Sequence, residues 1–387
     1  MAAVSAGRLV VVAQDAARSE DRFFLLYLLR WIDRHREDLS VDLVLWHGGP
    51  LLGRFAEVAE VHDLDDLNRW RLARLCERLR LRRVGQALKG ARLRWWLRTT
   101  RRADAVYVVG GDAARIVGYL PRRTAPLALH LLDAPAFPAG VSEADQAAVL
   151  ARADVVLAGS DVVAEELVAR TDVDTAAVVR HDHAIVVDAE VLTTDRPLRR
   201  ADLGIPDDAV LVGATGTADW WSAPDPFVLL VWEVRRRVPG LDPWFVWLAP
   251  AADDRELWPL RHDLDNAGVA DRVVVATHEA AVDLLDLLDV YVLATRDDAH
   301  RSLTLEAAVR AIPIVRTDNG LVRELSADIG VVVPPLDVPA LAEAVADLVR
   351  DPDRRRRIGR EQVPGARAVH DTDVGAPELL AAILSGR

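Results

Sequence analysis

Cysteine and lysine are almost missing from this chain: Cys76 is the single thiol in 387 residues, and Lys89 is the single lysine among 48 basic side chains. One cysteine excludes intrachain disulfides, cysteine-cluster zinc sites and iron–sulfur centres, and it fits a reducing compartment. No apolar run approaches the ~20 residues of a bilayer span. The opening MAAVSAGRLVVVAQD has no charged stretch ahead of an apolar core, so a soluble, cytoplasmic protein is expected. Also missing are a G-x-S-x-G nucleophile elbow, which speaks against α/β-hydrolase chemistry, and any short solenoid repeat. The GGD turn at 110–112 is a lone glycine turn and not a dinucleotide fingerprint.

What remains is an ordinary folded composition, 51% hydrophobic and 28% charged, in a chain long enough for two domains. The net charge of -12 disfavours non-specific nucleic-acid binding. The charge is uneven, however. Residues 69–102 hold 13 basic side chains against one acid, Glu77, and Leu72, Leu75, Leu79, Leu93, Trp96 and Leu97 recur there at helical spacing. A basic amphipathic stretch with tryptophans suits an anionic membrane surface; a protein partner or a solvated helix face are the other readings.

Short apolar runs alternate with amphipathic stretches along the whole chain. LVVVA (9–13), VDLVLW (41–46), AVYVV (105–109), PLALHL (126–131) and VVLAG (155–159) form a first series. AVLVGAT, WFVWLA, RVVVAT, VYVLAT, PIVRT and GVVVP form a second, after the polar stretch at 193–208. Continuous apolarity means strands covered on both faces, hence parallel sheets flanked by helices. The expectation is α/β, with two Rossmann-like doubly wound domains facing a cleft: 1–190, a linker at 191–205, a second domain at 206–372, and a C-terminal helix, 373–387, crossing back to the first. Asp337 is expected to cap a helix carrying the stripe Val338, Leu341, Val345 and Leu348. The histidines of HDH (181–183) read as a polar connector, and HDLDD (62–66) as a solvated loop.

The stretch RSLTLEAAVRAIPIVRTDNGLVRELSADIGVVVPPLDVPALAEAVADLVRDPDRRRRIG (301–359) resembles the donor half of the group 1 glycosyltransferases, a retaining family with the glycosyltransferase-B fold. The likeness continues through LGIPDDAVLVGATGTADWWSAPDPF and back to the N-terminal VVVAQDAARSEDRFFLLYLLRWI. It implies transfer of a sugar, with retention, from a nucleotide-diphosphate donor to a surface-polysaccharide or lipid-linked acceptor, with no metal and no other cofactor. It also implies a donor site. Glu306 would hold the ribose, the helix opening at Ser302 and Leu303 would receive the diphosphate, and Gly216 and Thr217 would follow the first strand of that domain. Asn319, Gly320 and Glu324 would stand near the sugar and phosphates. The alternative for Glu306 is a first-turn glutamate that only offsets the helix dipole. For Asn319-Gly320 the alternative is a plain turn.

Departures from the family pattern bear on catalysis. Asp298 stands eight positions before Glu306, where the family carries an acid that meets the sugar. Where relatives read like Asp-Trp-Arg-Lys-Gly-Pro-Asp, this chain reads Asp219-Trp220-Trp221-Ser222-Ala223-Pro224-Asp225, so the cations that neutralise the leaving diphosphate are missing. Arg301 and Arg316, both directed by topology toward the strand-carboxyl side, are candidates to replace them, the alternative being a surface salt bridge. His130 is the remnant of a His-x-His-Glu-like run, a candidate for acceptor-side contact or else a core histidine. A noncatalytic binding or partner subunit built on the same scaffold is the rival reading.

Overall fold

The computed structural model describes residues 7–64, 103–120, 125–132, 136–138, 140–171, 178–180, 198–216, 218, 220, 222–249, 254–277, 282–296, 301–318 and 329–385. The chain divides into two compact units, Met1–Ile185 with Thr372–Arg387, and Val186–Asp371.

In the first unit the strands are β1 (Gly7–Ala13), β2 (Leu39–Leu45), β3 (Glu60–Asp63), β4 (Ala105–Val109), β5 (Leu127–Leu131), β6 (Val155–Ala158) and β7 (Val178–Arg180). They form one parallel sheet in the order β3-β2-β1-β4-β5-β6-β7. Between them run α1 (Glu20–His35), α2 (Leu52–Ala56), α3 (Ala114–Val117), α4 (Glu143–Leu150) and α5 (Asp161–Arg170). The central strands read as unbroken apolar runs because both faces are covered: every residue of β4 and β5 is buried, including Tyr107 and His130.

The second unit repeats the plan. Its strands are β8 (Leu211–Thr215), β9 (Trp244–Leu248), β10 (Val273–Ala276), β11 (Val290–Leu293), β12 (Ile314–Thr317) and β13 (Val331–Val333), parallel in the order β10-β9-β8-β11-β12-β13. Its helices are α6 (Pro224–Arg237), α7 (Asp254–Asn266), α8 (Val282–Leu285), α9 (Arg301–Val309), α10 (Val338–Arg350), α11 (Pro352–Glu361) and α12 (Val363–His370). The last helix, α13 (Thr372–Ser385), packs with the first unit, where Trp31 Nε1 donates to Asp373 Oδ1 at 3.0 Å. At the start of α10, Asp337 Oδ1 accepts from the Ala340 N–H at 2.9 Å, and Leu341, Val345 and Leu348 are buried against the sheet and α6. Cap and apolar stripe together fix where that helix begins and which way it faces.

Two edge strands escape the apolar pattern. β7 has three residues, and β3 has the polar sequence EVHD, which the sequence reading assigned in part to a solvated loop. Pairing with β2 sets His62 beside Asp42, with Nε2 3.1 Å from Oδ1, while Arg8 Nε and Nη2 fork onto the same carboxylate at 2.6 and 2.9 Å. The strand is held by a buried polar group rather than by apolar burial. Asp42, Glu60 and His62 have the spacing of a metal triad, but the Arg8 fork already takes both Asp42 oxygens.

Candidate functional site

Strand order locates the site. In an open parallel sheet a ligand binds beyond the carboxyl ends of the strands, at the point where successive connections leave in opposite directions. In the second unit that point lies between β8 and β11; in the first, between β1 and β4.

After β8 the chain passes through Gly216, whose φ of +152° favours glycine, with its N–H donating to Leu248 O at 3.0 Å and its carbonyl accepting from Trp247 Nε1 at 3.1 Å. The connection ends at Ala223, a buried residue at φ +56°, followed by Pro224 at the start of α6. Ser222 is buried as well. On the other side of the switch point, β11 leads through Ala294, Thr295 and Arg296 toward α9, whose N-terminus therefore lies at this edge, and the first turn of a helix has backbone N–H groups without intrahelical partners. Leu303 is buried in α9, and the backbones of Arg301 and Ser302 form its first positions.

Glu306 is 4% exposed, with Arg310 Nη2 at 3.8 Å from its Oε2. It is the sixth residue of α9, in the second turn, and the first turn holds no acid. This removes the reading of Glu306 as a dipole-offsetting first-turn glutamate, because that effect fades within one turn. A nearly buried carboxylate one turn inside a helix that opens at a switch point suits the reception of hydroxyl donors.

Arg316 sits near the end of the PIVRT strand, as read from the sequence, but its side chain is buried. Its side chain is 2% exposed on β12, its Nε donates to the Ile329 carbonyl at 2.9 Å, and burial pulls its pKa down against the raising effect of Asp318. It is not a surface salt bridge.

Arg296 was missed. Its Nη1 donates to the Trp220 carbonyl at 2.7 Å and to Asp225 Oδ1 at 2.9 Å, and its Nη2 donates to Asp225 Oδ2 at 2.7 Å. Its hydrogen bonds to Asp225 raise its pKa despite partial burial. The available signal was position: Arg296 is the first charged residue after an apolar strand at the switch point. Beside it, Trp220, Pro226, Thr295, Thr317, Leu336 and Leu341 line an apolar depression of about 360 Å³ at the carboxyl ends of the strands.

In the first unit His130 is a core residue. It is 0% exposed, its Nδ1 lies 2.7 Å from the Tyr107 hydroxyl, and Phe24 meets it edge-on at 5.3 Å. Of its two readings, the structure bears the second. The switch point itself is occupied by Arg22, 2% exposed, from the first turn of α1. Asp298, Thr217, Asn319, Gly320, Glu324, Trp221, the HDH connector and the basic stretch 69–102 lie outside the described residues.

Residues 211–351 match the family model described as glycosyl transferases group 1. That stretch resembles the group 1 glycosyltransferases. The chain resembles the alpha-D-kanosaminyltransferase of Streptomyces kanamyceticus, 28% identical over 51% of this chain and 52% of that one. It also resembles the D-inositol 3-phosphate glycosyltransferase of Stackebrandtia nassauensis, 30% identical over 54% of this chain and 49% of that one. The chain thus spans about half the length of the curated relatives it matches. Anabaena Alr3699/HepE, solved in complex with UDP and glucose, is similar over 98% of this chain and 100% of that one, with a TM-score of 0.71 at 15% identity. That likeness is one of fold, and it gives the two Rossmann-like units the glycosyltransferase-B fold.

Proposed function

We propose that this chain transfers a glycosyl group, with retention, from a nucleotide-diphosphate sugar to a surface-polysaccharide or lipid-linked acceptor, without a metal. The observation that carries the reading is the coincidence of the family match at 211–351 with a parallel switch point flanked by the α9 N-terminus and the buried Glu306. In the transfer, the bond from the anomeric carbon to the diphosphate oxygen breaks, the acceptor hydroxyl oxygen bonds to that carbon on the same face, and the hydroxyl proton leaves to the diphosphate. Glu306 accepts the ribose hydroxyls. The α9 N–H groups take part of the phosphate charge, and Arg301, Ser302 and Thr217 stand in sequence where they serve the same group. Asp298 and Glu324 face the sugar in this reading. The basic stretch 69–102 supports a lipid-linked acceptor at the inner leaflet. Among the described residues no helix is long and apolar enough to cross a membrane.

A second reading, a noncatalytic relative that binds ligand or a partner, is favoured by one set of observations: Trp221 and Ser222 replace the usual cations, and Arg296 and Arg316 are both engaged by the protein itself. Calorimetric titration with UDP, GDP and ADP, followed by assay of hydrolysis of the sugar nucleotide whose base binds, separates the two. Binding of one nucleotide with turnover supports the enzyme. Binding without turnover supports the relative, and a folded protein that binds none of them overturns the donor site.

A further inference from the structure

Arg296 leaves the end of β11 and crosses the switch point to the connection that follows β8. It holds the Trp220 carbonyl in that connection and the Asp225 carboxylate in the first turn of α6, on either side of Trp221 and Ser222 in the sequence. The guanidinium carbon also lies 4.6 Å from the centre of the Trp220 ring. Burial does not hold Trp220 in place, since its side chain is 63% exposed. Yet the connection carries backbone that needs holding: it opens at Gly216 with φ +152° and closes at Ala223 with φ +56°, a left-handed conformation that an L-residue keeps only where its surroundings over-determine it. A planar fork with two parallel donors to one carboxylate sets direction as well as distance, which a lysine ammonium would not do.

We infer that Arg296 is a positioning residue, bracing the β8–α6 connection across the switch point in the conformation that receives the donor diphosphate, without touching the diphosphate itself. Both terminal nitrogens are directed to Asp225 and the Trp220 carbonyl. The part of this inference that concerns the diphosphate rests on the function proposed above; the brace does not.

Two measurements on the full chain test it. Amide hydrogen exchange across 211–226, in the absence of any ligand, should quicken roughly tenfold or more in both Arg296→Gln and Asp225→Asn, because either change opens the fork. UDP affinity, read by calorimetry, should fall by roughly tenfold in both variants. Asp225→Asn is the discriminating variant. If Arg296 met the diphosphate directly, releasing it from Asp225 would tighten UDP binding, whereas the brace requires weakening. The swapped pair Arg296→Asp with Asp225→Arg should recover slow exchange. Unchanged exchange in both single variants, or tighter UDP binding by Asp225→Asn, overturns the inference. Should the wild type bind no nucleotide, the proposed function fails while exchange still decides the brace.

Discussion

Arg22 Nη2 and Asp112 Oδ2 lie 2.7 Å apart across the switch point of the first sheet, joining the first turn of α1 to the turn after β4. Arg22 Nε also donates to Asp15 Oδ1 at 3.1 Å, and Asp21 stands 3.9 Å from Nη1. Arg296 and Asp225 make the same kind of span in the second sheet. In both units an arginine–aspartate pair thus closes the gap that opposed connections leave in a parallel sheet. The first pair is the more deeply set: Arg22 is 2% exposed, and its charge is stable there because three carboxylates surround it.

Removing that cation should therefore cost more than removing one of its partners. Arg22→Met is expected to lower unfolding free energy by roughly 3 kcal/mol, since it leaves acids crowded without their counter-charge. Asp112→Asn should be close to neutral. Burial, opposed by Arg22, raises the Asp112 pKa, so its charged form is the disfavoured one in the folded protein. For an acid with a raised folded pKa, the favourable contribution is complete below the unfolded value of about 4 and is lost as pH climbs through the folded value. Urea midpoints of both variants at several pH values check this. A larger loss in Asp112→Asn than in Arg22→Met would contradict it.

Asp42 carries the opposite sign. Burial alone would raise its pKa, but hydrogen bonds from His62 and Arg8 outweigh that and hold it at about 2. A depressed folded pKa gives stability that is complete above the unfolded value of about 4 and disappears as pH falls toward 2, a contribution of about 2 kcal/mol. Asp42→Asn should lose that stability at neutral pH and flatten the acid limb of the stability curve. An acid limb equally steep in wild type and variant would show that the buried group at the β2–β3 edge contributes nothing.

The strands with unbroken apolar runs were legible because burial on both faces leaves a continuous signature, and the Asp337 cap was legible because its chemistry is local. β3 was not, since EVHD is stabilised by Arg8 and Asp42 from other strands, and no window of sequence shows that. The site was legible to a similar depth. Glu306 and the helix it rides on follow from motif spacing, whereas its place in the second turn depends on where α9 begins, which Ser302 and Leu303 alone do not announce. Arg316 looked like a surface cation because a strand end and a positive charge suggest solvent; Ile329 brings a carbonyl to it from a later segment. Arg296 was passed over because its partner Asp225 lies 71 residues earlier in the chain.

Glu306 gives the most direct test of the donor site. Its carboxylate is nearly buried, so Glu306→Gln preserves shape while weakening the acceptor, and Glu306→Ala removes it. Nucleotide affinity should fall by about 1.5 to 3 kcal/mol in Glu306→Ala, the range for a charged hydrogen bond, and by less in Glu306→Gln. Because Arg310 Nη2 is 3.8 Å away, a melting curve should accompany each titration. Equal affinity in all three proteins would remove Glu306 from the site.

The substitutions at 221 and 222 decide how much chemistry survives. Charge builds on the diphosphate as the glycosidic bond breaks, and a preorganised cation that meets it is worth roughly 3 kcal/mol of barrier. Restoring the family residues with Trp221→Arg and Ser222→Lys should therefore raise turnover of the preferred sugar nucleotide, provided the connection they sit on keeps its place between Trp220 and Asp225. If the wild type already turns over, a cation elsewhere supplies part of that charge, and Arg301, at the opening of α9, is the candidate. Arg301→Ala should then lower the turnover number by roughly tenfold or more while changing nucleotide affinity less, because the contact strengthens in the transition state. The doubly restored protein should tolerate Arg301→Ala better than the wild type does. Turnover untouched by Arg301→Ala would show that the charge is met by another group. A restored protein that folds, binds nucleotide and still transfers nothing would show that the cations were not what this scaffold lacked.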